Sequence, residues 1–223
     1  MRMDFDLAQT DHLLSTTRAV RKRLDLTRPV PRQLILDCVR VSTQAPAGGN
    51  YQKWRWVIVD DPERKAIVAD AYQRSYAPYI AKQKAAVDRA GNAAASNPII
   101  DSSTHLAEVL AEVPVLAIPC ALGKPGDAGD AGGSQAGWWG SIVPAVWSYC
   151  LAARSRGLGT AWTTLHLPHE AEVGEALGIP DTVTQIACIP TAFYTGDDFK
   201  LAARKPAEDV TYWNNWKHTD IES

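Results

Sequence analysis

With 223 residues, 46% of them hydrophobic and 22% charged, the chain has the make-up of one large globular domain and not of a disordered protein. Its 23 basic and 25 acidic residues leave a net charge of −2, which gives no reason to expect general affinity for nucleic acid or an anionic membrane. Acids near the N-terminus argue against a signal or transit peptide, and the longest apolar run, residues 113–122, is about half a membrane span, so a cytoplasmic protein is expected.

The predicted elements alternate between helix and strand. Residues 7–16 read as a short helix with Leu7, Leu13 and Leu14 on its apolar side. Pro31 opens a second helix, 31–44, in which Leu34, Ile35, Cys38, Val39 and Val41 keep the spacing of a buried face. Residues 54–59 are aromatic and β-branched and predict a strand. Asp60-Asp61-Pro62-Glu63 is an acidic helix start; the helix runs to Ala90, with an interruption expected at Pro78.

Another helix follows Asn97-Pro98, and residues 113–120 predict a second, buried strand. Residues 123–137 are glycine-rich and predict a mobile loop, either a lid or a plain linker. A helix is expected over 138–156, ended by Gly157-Leu158-Gly159, then a strand over 160–165, a short helix over 168–177 and a fourth strand over 183–194. The fold class is therefore α+β, a central sheet flanked by helices in a single domain spanning 1–223. Cys38, Cys120, Cys150 and Cys188 lie far apart among apolar neighbours, which predicts buried reduced thiols and not disulfides or zinc ligands.

The most informative stretch is Ala45-Pro46-Ala47-Gly48-Gly49-Asn50-Tyr51-Gln52-Lys53-Trp54. Its glycines let a planar ligand approach the main chain, and the Asn50 amide matches a heterocycle edge that carries both C=O and N–H. A loop whose glycines merely turn the chain is the competing reading. Arg18, Arg21, Lys22 and Arg23 form either a solvated basic turn or a phosphate clamp, and Lys200, Arg204 and Lys205 form a second basic cluster. Trp138, Trp139 and Trp147 suit an aromatic pocket, although core packing explains Trp147 equally well. His166-Leu167-Pro168-His169 lacks a completing carboxylate or thiol for a metal, and no G-x-S-x-G elbow is present.

Taken in order, Arg18-Ala19-Val20-Arg21, the 45–54 stretch, Gly157-Leu158-Gly159-Thr160-Ala161-Trp162 and Arg204-Lys205-Pro206 resemble the nitroreductase family of FMN-dependent oxidoreductases over residues 15–216. The resemblance implies a central mixed sheet with flanking helices, built as an intertwined homodimer with FMN at the subunit interface. It also implies NAD(P)H as co-substrate and a small aromatic acceptor, a nitroaromatic or a quinone. Relatives that use oxygen or halogenated aromatics, and a flavin-binding protein with little turnover, are the alternatives.

By position, Arg18, Ala19, Arg21 and Arg204 would hold the phosphate and ribityl end of FMN. Pro46, Ala47, Gly48, Asn50 and Gln52 would lie along its ring, and the backbone at Thr164 and Leu165 would face flavin N5. No side chain is expected as a catalytic acid or base, and no metal. Thr17 and Ala19 stand where the family often has arginine and serine, and Lys53 stands where it has proline before Trp54. The extension 206–223 is expected to wrap a partner subunit or pack on its own chain.

Overall fold

A computed structural model describes residues 5–89, 98–127, 129 and 132–219. They divide into one unit of Met1–Thr16 with Asp198–Ser223 and another of Thr17–Asp197. In the first, α1 (Leu7–Thr16) is capped by Asp6, whose carboxylate accepts the Gln9 N–H at 3.0 Å. The apolar side expected for it does not form, since Leu7 and Leu14 stay exposed. His12 pairs with Asp198 at 2.8 Å, and a 3-10 turn, Ala207–Val210, leads to Tyr212 and Trp216 in edge-to-face contact.

In the larger unit, α2 (Arg32–Ser42) begins directly after Pro31, and β1 (Trp54–Val59) keeps the predicted bounds. The long helix α3 (Pro62–Arg89) starts where the Asp61 carboxylate caps the Arg64 N–H at 3.0 Å. It runs unbroken through Pro78, contrary to expectation. Pro78 lies on the exposed side, where water can take the carbonyl that proline leaves unpaired, while Val68, Ala69, Tyr72 and Tyr76 hold the opposite face in the core.

After α4 (Pro98–Val109) comes β2 (Val115–Leu122). The expected glycine-rich loop is shorter than its composition suggested, because residues 132–137 already belong to α5 (Gly132–Gly140). The single helix expected over 138–156 is two, α5 and α6 (Val143–Arg154): Pro144 cannot donate to the carbonyl four residues back, so the chain breaks at residues 141–142. Next come β3 (Leu158–Thr160), α7 (Glu170–Leu177) with the left-handed Gly178 after it, β4 (Val183–Gln185) and β5 (Ile189–Phe193). The strand expected over 160–165 ends at Thr160.

The sheet order is β1-β2-β5-β3, with β4 on β2 beside β5, and every strand pair is antiparallel. Parallel pairing is confined to isolated bridges, Ala19 with Thr160 and Gly123 with Val183. The single strand expected over 183–194 is split for a local reason. Cys120 pairs with Gln185 and Ala117 with Ile189, so three residues, 186–188, stand opposite two, Ile118 and Pro119. Pro119 has no N–H for the ladder, and the bulge absorbs the gap while Ile186 N–H still reaches the Pro119 carbonyl at 2.8 Å.

α6 fills the space between the sheet and α2 with Ala145, Val146, Tyr149 and Cys150, and the Tyr149 hydroxyl meets Thr191 Oγ1 at 3.1 Å. All four cysteines are buried and free, as expected. Gly159 of β3 lies where a Cβ would come within 2.9 Å of Val20 Cγ1 and 3.2 Å of Leu24 Cδ2. Replacing it by valine therefore overpacks the sheet edge against residues 20–24. The expected loss is about 1–3 kcal/mol, read as a lower urea midpoint; an unchanged midpoint would contradict this packing.

Candidate functional site

The sequence-predicted residues of the larger unit fall into two groups on different elements. In the first, Val20 N–H donates to the Thr160 carbonyl at 2.8 Å, and Asp25 N–H donates to the Phe193 carbonyl at 2.7 Å. Residues 18–25 thus run along the β3 end of the sheet. Arg18 and Ala19 are exposed and Arg21 is half-buried. The Arg21 guanidinium reaches Ser102 Oγ at 3.4 Å, and Lys22 is paired with Asp101, both partners on α4.

Thr164 and Leu165 belong to the same group, because they follow β3 directly. Thr163, just before them, is locked to the bulge. Its N–H and its hydroxyl both donate to the Cys188 carbonyl, at 3.1 and 2.7 Å, and Cys188 N–H returns a bond to its carbonyl at 2.8 Å. The bulge opposite Pro119 is thereby tied to the position of the 163–165 backbone. Thr164 is left exposed and Leu165 half-buried.

The second group is the segment 46–52, packed against α5 and the turn after it. Gly49, Asn50 and Gln52 adopt φ of 57°, 55° and 49°. Left-handed backbone at two non-glycine residues so close together costs energy, of order 1–3 kcal/mol each at strained positions, and such strain collects at functional sites. Both residues are exposed, and Gln52 Nε2 donates to Asn50 Oδ1 at 3.1 Å. Gly48 N–H donates to Ser141 Oγ at 2.9 Å, and that hydroxyl donates to the Gly137 carbonyl at 2.7 Å. Ser141 lies 93 residues from Gly48, and no pattern in the sequence links them.

Arg204, expected to join the first group, is an exposed residue of the other unit, where its guanidinium donates to the Ala203 carbonyl at 3.1 Å. Beside the second group lies a cavity of about 260 Å³, with Gly48, Tyr51 and Lys53 on one wall and Gly137, Trp138 and Ser141 on the other. Trp138 is 8% exposed and meets Trp139 edge-on at 4.7 Å; Trp139 and Trp147 are half-exposed, so core packing does not account for Trp147. A larger open groove of about 680 Å³ follows the outer side of β1. Its Arg32 is paired with Asp60 at 2.6 Å and its Asp61 caps the start of α3, and size alone does not mark it as a site.

Nucleophilic and metal chemistry find little support among the described residues. Burial pushes the Cys38 and Cys150 thiols up to about 11 and those of Cys120 and Cys188 up to about 12, which keeps all four protonated. No group of metal-ligating side chains occurs among the described residues. His166 is fully buried and neither ring nitrogen makes a hydrogen bond of sound geometry. Burial lowers its pKa to about 4, with the nearby Gln185 acting weakly in the opposite sense. No described helix is long and apolar enough to cross a membrane.

The exposed guanidinium of Arg18, the half-buried one of Arg21 and the amide of the exposed Asn50 are the donor types that a phosphorylated isoalloxazine needs. At Gly48 a Cβ would meet Ser141 Oγ at 3.2 Å, so a glycine keeps this stretch of backbone low. The residues present fit FMN.

Comparison with known proteins places the chain in a family. A family model described as the nitroreductase family matches residues 14–191. The 5,6-dimethylbenzimidazole synthase of Rhodospirillum rubrum is 30% identical over 156 residues, 68% of this chain and 67% of that protein. Among solved structures, a BluB-like flavoprotein from Clostridium difficile 630 superposes with a TM-score of 0.66 at 17% identity, covering 95% of this chain and 100% of that one. A variant of NfnB, an FMN- and NADPH-dependent nitroreductase from Sphingopyxis sp. strain HMH, gives 0.66 at 18% identity, covering 92% and 98%.

Proposed function

The chain belongs to the nitroreductase family, and on that footing we propose that it is an FMN-dependent oxidoreductase of the cytoplasm. It carries hydride from NAD(P)H to a nitroaromatic or quinone-type acceptor in two half-reactions that share one site. The observation that carries this reading is the strained segment 49–52, whose left-handed Asn50 and Gln52 present amides beside an apolar cavity. When bound, FMN supplies the hydride chemistry, and the protein's part is binding, orientation and exclusion of water.

Arg18 and Arg21 would hold the phosphate and ribityl end. Asn50 would bind the pyrimidine edge of the ring, and the 164–165 backbone, fixed through Thr163 and Cys188, would lie on the side of N5. The two groups of residues occupy different elements of one chain, one along β3 and one against α5, and on this reading the site is completed between two copies in a homodimer. A chain that sediments only as a monomer with FMN bound would contradict that arrangement. No side chain serves as nucleophile, in keeping with four protonated thiols.

A second reading is the oxygen-using alternative, in which the electrons go to oxygen and not to an organic acceptor; it is kept because the 30% identical relative is named a synthase and not a nitroreductase. The test is to bleach the reconstituted protein with NADPH under nitrogen and then add a nitroaromatic or quinone. Recovery of the oxidised spectrum under nitrogen is expected. Recovery only on admission of air would replace the first reading with the second.

A further inference from the structure

The cavity between the 46–53 segment and α5 has three features that general packing does not explain. Four glycines, residues 132, 133, 137 and 140, fall in the nine residues of α5, and Gly137, the one well inside the helix, costs roughly 1 kcal/mol against alanine. A Cβ at Gly137 would meet nothing within 4 Å among the described residues, so no described neighbour demands the glycine, which lines the cavity. Trp138 in the wall is 8% exposed, and its indole Nε1 has no hydrogen-bond partner among the described residues, although buried donors are usually satisfied.

The third feature is Lys53. Among the described residues it is the single charged side chain lining the cavity, and no described acid lines it. Among the described residues its ammonium makes no ion pair. Its root is fixed nonetheless: the Lys53 carbonyl accepts the Leu122 N–H at 2.9 Å, so the residue sits at the head of the β1–β2 ladder and not on a loose loop. A cation anchored at the mouth of an otherwise apolar aromatic cavity favours a ligand that is apolar in its body and anionic at one end.

We propose that this cavity is the acceptor pocket of the flavin site and takes a one- or two-ring aromatic bearing a carboxylate, which pairs with Lys53. At about 260 Å³ the pocket lies below the roughly 300 Å³ lower bound of drug-sized sites. Its size matches a small aromatic. The assignment rests on the flavin reading for its catalytic meaning, but the binding preference does not depend on it.

The test compares benzoate with benzamide, neither of which is reduced, by calorimetric titration of the full chain with and without FMN. Lys53 is exposed, so the discrimination is that of a solvated ion pair, about fivefold at most. Wild-type protein is expected to bind benzoate about three- to fivefold more tightly. Lys53→Gln brings the ratio to about one. Gly137→Leu fills the cavity and weakens both ligands at least tenfold, and leucine at that position suits the helix better than glycine. Equal binding of the two ligands by wild type, an unchanged ratio in Lys53→Gln, or unaltered binding in Gly137→Leu would each overturn the proposal. So would a fall in FMN uptake by Lys53→Gln at constant ligand ratio, which would give the lysine to the cofactor. Failure of the flavin reading would show separately, as no FMN uptake by wild type.

Discussion

Replacing Arg18 and Arg21 together by alanine is expected to leave a folded chain whose affinity for FMN is about 10² to 10⁴ lower. A hydrogen bond to a charged group contributes about 1.5–3 kcal/mol, and two such contacts to a phosphorylated ligand therefore contribute about 3–6 kcal/mol, with each 1.4 kcal/mol a factor of ten. The fold has little to lose. Arg18 is exposed, and the Arg21 bond to Ser102, at 3.4 Å, is long and weak. The backbone bond from Val20 to Thr160, which holds this segment against β3, does not involve either side chain. The measurement is an FMN titration of the apoprotein by flavin fluorescence, with a urea midpoint alongside. Equal affinities for variant and wild type would remove these arginines from the site.

Acidification from pH 6.5 to about pH 4 is expected to cost the fold about 3 kcal/mol through His166 alone. The imidazole is fully buried, and burial holds its pKa at about 4 in the folded chain against 6.5 in its ordinary state. Between these values the unfolded chain binds a proton that the folded chain does not. Stability therefore rises with pH across that window and is lost as pH falls through it. Carboxylates contribute with the same sign but lower on the scale. Asp37 is held below its ordinary 3.8 by hydrogen bonds from Gln33 and Arg40, and Asp60 by its bond from Arg32, so their share is lost only as pH falls below about 4.

His166→Leu separates the two effects, since it removes the titration together with two unsatisfied nitrogens. Urea midpoints taken at intervals from pH 7 to pH 4 should slope for wild type and run flat for the variant down to about pH 5. Parallel slopes would show that His166 is protonated in the folded state.

Elements with a strong local signal were legible in the sequence. The bounds of α1 and β1 follow from the leucine-bearing segment 7–16 and from the run Trp54-Arg55-Trp56-Val57-Ile58-Val59, and the start of α3 follows from Asp61-Pro62. The misjudged positions depend on partners distant in the chain. Pro119 splits the expected strand 183–194 only because that strand pairs with it. Pro78 fails to break α3 because it lies on the exposed side, where water can take the carbonyl four residues back, a matter of burial and not of local sequence.

The same division holds at the candidate site. Gly48, Asn50 and Arg21 could be named from residue type and order. Ser141, which takes the Gly48 N–H, could not, and neither could the Cys188 carbonyl that fixes Thr163. Lys53 was visible as a departure from a pattern, but its place in the wall of a cavity needed the fold.

The most direct measurement is the visible spectrum of the purified full-length protein before and after incubation with FMN. The account predicts a yellow protein that retains about one FMN per chain through gel filtration and bleaches when NADPH is added anaerobically. A protein that is colourless as purified, and remains so after incubation with FMN, would contradict it.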